Sequence, residues 1–116
     1  MKSNELKIGR VYFSCAWYTA KYPVPDIRTY VYIGRNIYEN REDKSQDEHV
    51  FEEPRKHFEK EILNGLSEDE KKEYEGPEEP YRMTIPEDSL EIIKDIDGLI
   101  DFLEQSKKEL NADQIF

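Results

Sequence analysis

The chain has one cysteine, two histidines and five glycines in 116 residues, and each scarcity closes off a class of chemistry. Cys15 alone can form no intrachain disulfide, and one cysteine cannot build a Cys-based zinc site. Set in an apolar run, it reads as a small buried hydrophobe rather than a reactive thiol. The scattered glycines make no Gly-x-Gly-x-x-Gly, no phosphate-cradling loop and no Gly-x-Ser-x-Gly. No stretch approaches the roughly 18 consecutive apolar residues of a membrane span, and Met1-Lys2-Ser3-Asn4-Glu5 leads into no apolar signal core. The expectation is a cytoplasmic protein without a membrane partner. Basic charge is scarce as well: 17 Lys and Arg face 27 Asp and Glu, a net charge of −10. Repulsion from polyanions makes nucleic acid an unfavourable partner, and a basic protein a favourable one.

What the chain does have is aromatic and acidic. Eight Tyr, five Phe and one Trp offset a low apolar fraction of 36% and argue for an ordered core. Charge is unevenly spread. Residues 1–38 carry six Lys/Arg against two Asp/Glu, residues 39–79 seven against sixteen, and residues 80–116 four against nine. A chain of this size reads as one domain over residues 1–116, strand-rich at 6–52, acidic and helical at 53–79, with a strand and a C-terminal helix at 80–112.

Residues 8–18 alternate as a strand, with Val11, Phe13, Cys15 and Trp17 on a core face and Tyr12, Ser14, Ala16 and Tyr18 on a half-covered one. Pro23 and Pro25 place a loop over 19–26. Ile27–Ile33 is a second strand rich in β formers, and Gly34 permits a bulge or turn. Residues 39–48 read as a mobile charged loop, and His49-Val50-Phe51 as a short third strand at a sheet edge. Pro54 suits the first turn of a helix with a Phe58/Ile62/Leu66 stripe, closed at Asn64-Gly65 by a left-handed glycine. Ser67 and Glu70 form a capping box for a short helix over 68–75. Tyr81–Ile85 is a fourth strand stopped by Pro86. Ile92, Ile96, Leu99, Ile100 and Leu103 give the stripe of a core-facing helix. It either starts at an Asp97 cap after a turn over 89–94 or runs as one helix weakened at Gly98, the first being favoured because Asp97 suits a cap. The fold class is α+β: a small antiparallel sheet packed against the C-terminal helix, with a charged helical insertion. A curled, SH3-like arrangement of the strands is the variant.

Three sets of residues are candidates for function. The acids Glu68, Asp69, Glu70, Glu73, Glu75, Glu78 and Glu79 supply a negative surface for a basic partner. Tyr30 and Tyr32, beside Arg28 and Tyr12, either form an exposed aromatic–basic surface for partner binding or homodimerisation, or pack beneath the C-terminal helix. Metal ligation has two weak candidates. His49 and His57 lie among Glu48, Glu52, Glu53 and Glu61 in a spacing that matches no motif. Asp95, Asp97, Gly98 and Glu104 overlay the second half of a calcium loop whose first position falls on Ile93.

No nucleophile, base and orienter come together in the sequence: Ser14 and Cys15 point to opposite faces of one strand, and both histidines are far away. The reading is therefore a non-enzymatic acidic binding domain without metal or cofactor, of which an inhibitor or immunity-type protein is one form. A self-associating accessory protein is the second reading, and a metal-dependent sensor or hydrolase the third.

Overall fold

Alternation of β-branched and aromatic residues drives Val11–Thr19 (β1) and Tyr22–Arg35 (β2) into one long hairpin. In a computed structural model describing residues 1–41, 44–76 and 81–110, these strands sit in a five-stranded antiparallel sheet. Its other strands are β3 (Glu48–Glu52), β4 (Arg82–Pro86) and β5 (Ile93–Lys94), in the order β4-β3-β2-β1-β5. The sheet is open, so the fold is the small α+β arrangement and not the closed, SH3-like variant. Short helices α1 (Pro54–His57), α2 (Glu59–Asn64) and α3 (Glu68–Glu73) lie between β3 and β4, and α4 (Ile96–Glu109) follows β5. One 3-10 turn (Ser3–Glu5) precedes β1 and another (Glu87–Ile92) precedes β5.

Several local expectations are corrected. The loop over 19–26 is a tight turn at Ala20-Lys21, and β2 runs through both prolines. β2 pairs with β3 only from Val31 onward. Pro23 and Pro25, two residues apart, therefore turn their donor-less nitrogens to the open side while Pro25 still sits opposite Trp17. β3 is not an edge strand but lies between β2 and β4. Gly34 does mark a bulge, with φ +150, and an added Cβ there would meet Ile37 at 2.7 Å. Gly65 closes α2 at φ −83, not in the left-handed region, because the chain turns directly into the Ser67 cap of α3. The cap of α4 is Asp95, whose carboxylate accepts from the Gly98 amide at 2.9 Å. Asp97 lies one residue inside the helix.

Around the loop that joins β2 to β3, Asn36 adopts φ 53 and ties both ends: its side chain accepts from the Glu48 amide at 2.8 Å and donates to Asp47 at 2.9 Å. Arg41 also donates to it.

The core lies on one face of the sheet. Register places Tyr12, Tyr30, Tyr32, Phe51 and Ile85 together. Leu90 and Ile93 join them, with Met1, Leu6 and Met83 packed at the margin. Rings interlock: Tyr32 and Phe51 centroids are 5.3 Å apart, and Tyr30 and Phe51 6.3 Å, spacings at which aromatic pairs add to simple burial. The tyrosine face is thus the deeper of the two, covered by the N-terminal segment and the second 3-10 turn. The face carrying Cys15 and Trp17, read as the core, supports α4 instead. Trp17 stacks near Phe102 at 6.3 Å and donates its indole N–H to Ser106 Oγ at 3.0 Å.

Candidate functional site

The acidic segment forms from local signals. Pro54 opens α1 under a Glu53 cap, whose carboxylate accepts from the Lys56 amide at 3.2 Å. Ser67 and Glu70 then satisfy each other's amides at 3.2 and 3.1 Å, the reciprocal capping box that starts α3. None of α1, α2 and α3 contains a buried residue. The segment is held by half-buried Phe58, Ile62, Leu63, Leu66 and Tyr74, and the charged side chains of α3 face solvent.

The candidate acids divide by what they do locally. Glu70 is committed to the cap, and the amide and hydroxyl of Ser67 hold its carboxyl below the usual glutamate range. Glu68 pairs with Lys71 at 3.2 Å. Asp69, Glu73 and Glu75 are exposed and form no ion pair with a described residue, leaving their charge available to a partner. Glu78 and Glu79 lie outside the described residues.

Tyr30 and Tyr32 are 3% and 5% exposed, which overturns the exposed aromatic surface and with it a dimer formed through these rings. The covering element is not the C-terminal helix either. Parity along β2 gave their common face, but strand alternation carries no information on which face is covered.

The histidines separate. Register puts His49 on the tyrosine face and Glu52 on the opposite one. His49 is fully buried: its Nδ1 bonds the Tyr32 hydroxyl at 3.0 Å and its Nε2 bonds the Glu87 carboxylate. Both ring nitrogens are thus bonded, and the ring bridges the Tyr32 hydroxyl and the Glu87 carboxylate. The His49 contact, and then a bond from Ser3, hold the Glu87 carboxyl below the usual range, while burial pushes the Tyr32 hydroxyl up. On the other face His57 Nδ1 reaches Glu52 at 3.0 Å, and Arg82 reaches the second oxygen of the same carboxylate at 3.4 Å.

Both clusters are internally satisfied, and among the described residues no group of three or more His, Cys, Asp or Glu is placed to hold a metal ion. The half calcium loop does not form a loop: Asp95 caps α4, and Gly98 and Glu104 fall inside the helix. Cys15 is buried, and burial pushes its thiol up, the opposite of what a nucleophile needs.

Sequence reasoning missed the Tyr32–His49–Glu87 chain. Its signal was available, because His49 alternates with Phe51 and so must point inward wherever Phe51 does. It also missed the hub at Glu52, where His57, five residues on, is joined by Arg82, thirty residues on. Among the described residues no helix is long and apolar enough to cross a membrane. The chain matches no known family model, no curated protein and no solved structure.

Proposed function

We propose that the protein is a non-enzymatic, cytoplasmic binding module whose acidic helical excursion engages a basic partner protein, in the manner of an inhibitor or immunity-type protein masking a basic site. The observation that carries this reading is topological. Glu52 of β3 and Arg82 of β4 are direct register partners, so a tight turn would serve the sheet where the chain instead spends residues 53–81. That excursion contributes no fully buried side chain from its helices, yet it holds the Asp69, Glu73 and Glu75 carboxylates on an ordered exterior. Exposed negative charge accelerates encounter with a positive surface and makes association sensitive to salt. The non-enzymatic part is supported by the histidines: His49 is buried with both ring nitrogens bonded and His57 is held by Glu52, so neither is free to act as a base for Cys15 or Ser14.

Affinity capture from the host lysate at low and at moderate salt tests the proposal. A basic partner retained at low salt and lost at moderate salt is the expected result. The quadruple variant Glu68→Gln, Asp69→Asn, Glu73→Gln and Glu75→Gln should then slow association with that partner by about tenfold or more at low salt, with little change in the dissociation rate. Unchanged association kinetics in that variant would remove the excursion from the interface.

A further inference from the structure

The C-terminal helix carries more apolar side chains than the sheet covers. Leu99, Phe102, Ser106 and Leu110 form the ridge turned to β1 and β2, with Ser106 and Leu110 buried. Ile96, Ile100 and Leu103 fall on the neighbouring ridge and remain 56%, 47% and 42% exposed. Three adjacent aliphatic residues that open on one helix of a strongly charged protein are a contiguous patch, not a scatter of single exposures. The stripe runs at its N-terminal end into a mixed cleft of about 460 Å³, where Val11, Phe13 and Ile96 meet Lys7, Arg10 and Asp95.

We propose that this stripe is the interface of a two-fold homodimer in which α4 of one copy packs antiparallel on α4 of the other. Two features of the helix favour its own copy as occupant. The steps Ile96, Ile100, Leu103 and Lys107 are four, three and four residues, the seam spacing by which helices interdigitate along their length. Charge is also unevenly placed: Asp95 and Asp97 stand at the start of the helix, both of its lysines, Lys107 and Lys108, lie in its last turn, and Asp101, Glu104 and Glu109 are the remaining acids. Reversing one copy about an axis between Ile100 and Leu103 sets Ile96 against the Lys107 stem, Ile100 against Leu103, and Asp97 beside Lys107 and Lys108. A parallel pair would set like against like. The isologous arrangement repeats each contact twice.

Size decides the strength. Standard stable interfaces bury roughly 800 Å² per partner, more than three half-exposed aliphatic side chains supply. The net charge of −10 on each copy opposes association as well. The dimer therefore dissociates on dilution. Salt acts on it in two opposed ways, screening both the overall repulsion and the Asp97–lysine pairs, so its net salt dependence is small. That separates it from docking through the acidic excursion, which the proposal does not require.

Sedimentation velocity of the full chain across a concentration series from a few to several hundred micromolar reads the result. The expected outcome is a shift from monomer to dimer over that range. Ile100→Glu or Leu103→Glu should abolish the shift, and both sites are exposed enough that circular dichroism should show an unchanged fold. The Glu68→Gln/Asp69→Asn variant should dimerise as the parent does. Charge reversal tests direction: Lys107→Glu/Lys108→Glu and Asp97→Lys should each weaken dimerisation about tenfold alone, and their equimolar mixture should restore it as a heterodimer. A monomer at every concentration overturns the proposal, whether the stripe is then found against another protein, a bilayer surface or residues 111–116. A dimer that survives Leu103→Glu overturns it too, and failure of the mixture to recover overturns the antiparallel arrangement.

Discussion

Tyr32→Phe deletes a single oxygen from the middle of the sheet and leaves its ring against Phe51. No cavity of consequence opens, so the effect isolates one hydrogen bond. The hydroxyl's partner is His49 Nδ1 at 3.0 Å on a side chain with no exposed surface. A net hydrogen bond contributes about 1 kcal/mol, and a buried polar atom left without a partner costs about 1–3 kcal/mol more. The expected loss is therefore about 2–4 kcal/mol. With a urea m-value of about 1–3 kcal/mol per molar, the midpoint should fall by roughly 1–2 M at unchanged m. Adding His49→Phe removes the orphaned ring nitrogen, so the double variant should be less destabilised than the two single losses summed.

The Glu87 end of the same chain sets an acid limb. Its folded carboxyl lies below the unfolded value, so its contribution is complete above about pH 4.3 and is lost as pH falls through the folded value. Glu87→Gln should shrink that limb without abolishing it, because Asp47 and Glu70 are also held below their usual values. The raised Tyr32 acts at the other extreme, its contribution present below about pH 10 and lost as pH rises further. A Tyr32→Phe midpoint within about 0.3 M of the parent, which is under roughly 0.5 kcal/mol, would refute the assignment of this contact as a structural bond.

Two further outcomes follow from the described geometry. Asp95→Ala should cost about 1 kcal/mol in urea unfolding and Asp97→Ala distinctly less, because only Asp95 accepts from the Gly98 amide; equal losses would return the cap to Asp97. Cys15, 4% exposed with its thiol pushed up by burial, should react with a chromogenic thiol reagent only as fast as the protein opens, and at the free-thiol rate in denaturant. Complete reaction within mixing time in native buffer would place it on the surface.

The sheet was legible wherever alternation was strong. Val11 to Trp17 and Ile27 to Ile33 announced the hairpin, and Ser67 with Glu70 announced α3, because each signal is local and each was used locally. What failed was relational. Pro23 and Pro25 read as a strand end because their tolerance depends on whether a neighbour sits on that side of β2, and the pairing with β3 begins only at Val31. The two faces of β1 were separated correctly but ranked in reverse, since Tyr12 gains its burial from Leu90 and the N-terminal segment, far away in sequence. β5, two residues long, carries too little pattern to be read at all. For the candidate site, the acids were legible as composition, but the capping duty of Glu70 and the pairing of Glu68 distinguish them from Asp69, Glu73 and Glu75 only in three dimensions.

The apolar stripe of α4 shows the same division with a consequence for function. Periodicity read Ile96, Leu99, Ile100 and Leu103 as one core-facing set, which a helix lying in a deep groove would bury entire. The deep side of this sheet is already filled by three tyrosines, Phe51 and Ile85, and α4 rests on the other side across β1, β2 and β5. A helix on a flat support buries one ridge, and here that ridge is Leu99, Phe102, Ser106 and Leu110. Aliphatic side chains on the next ridge are only about half covered by that packing and cost solubility, while the helices of the acidic excursion between β3 and β4 likewise bury no side chain fully. The chain thus carries two surfaces in excess of its folding needs, one charged and one apolar. Opposite responses to salt should separate them: contacts through Asp69, Glu73 and Glu75 weaken as ionic strength rises, and contacts through Ile96, Ile100 and Leu103 persist.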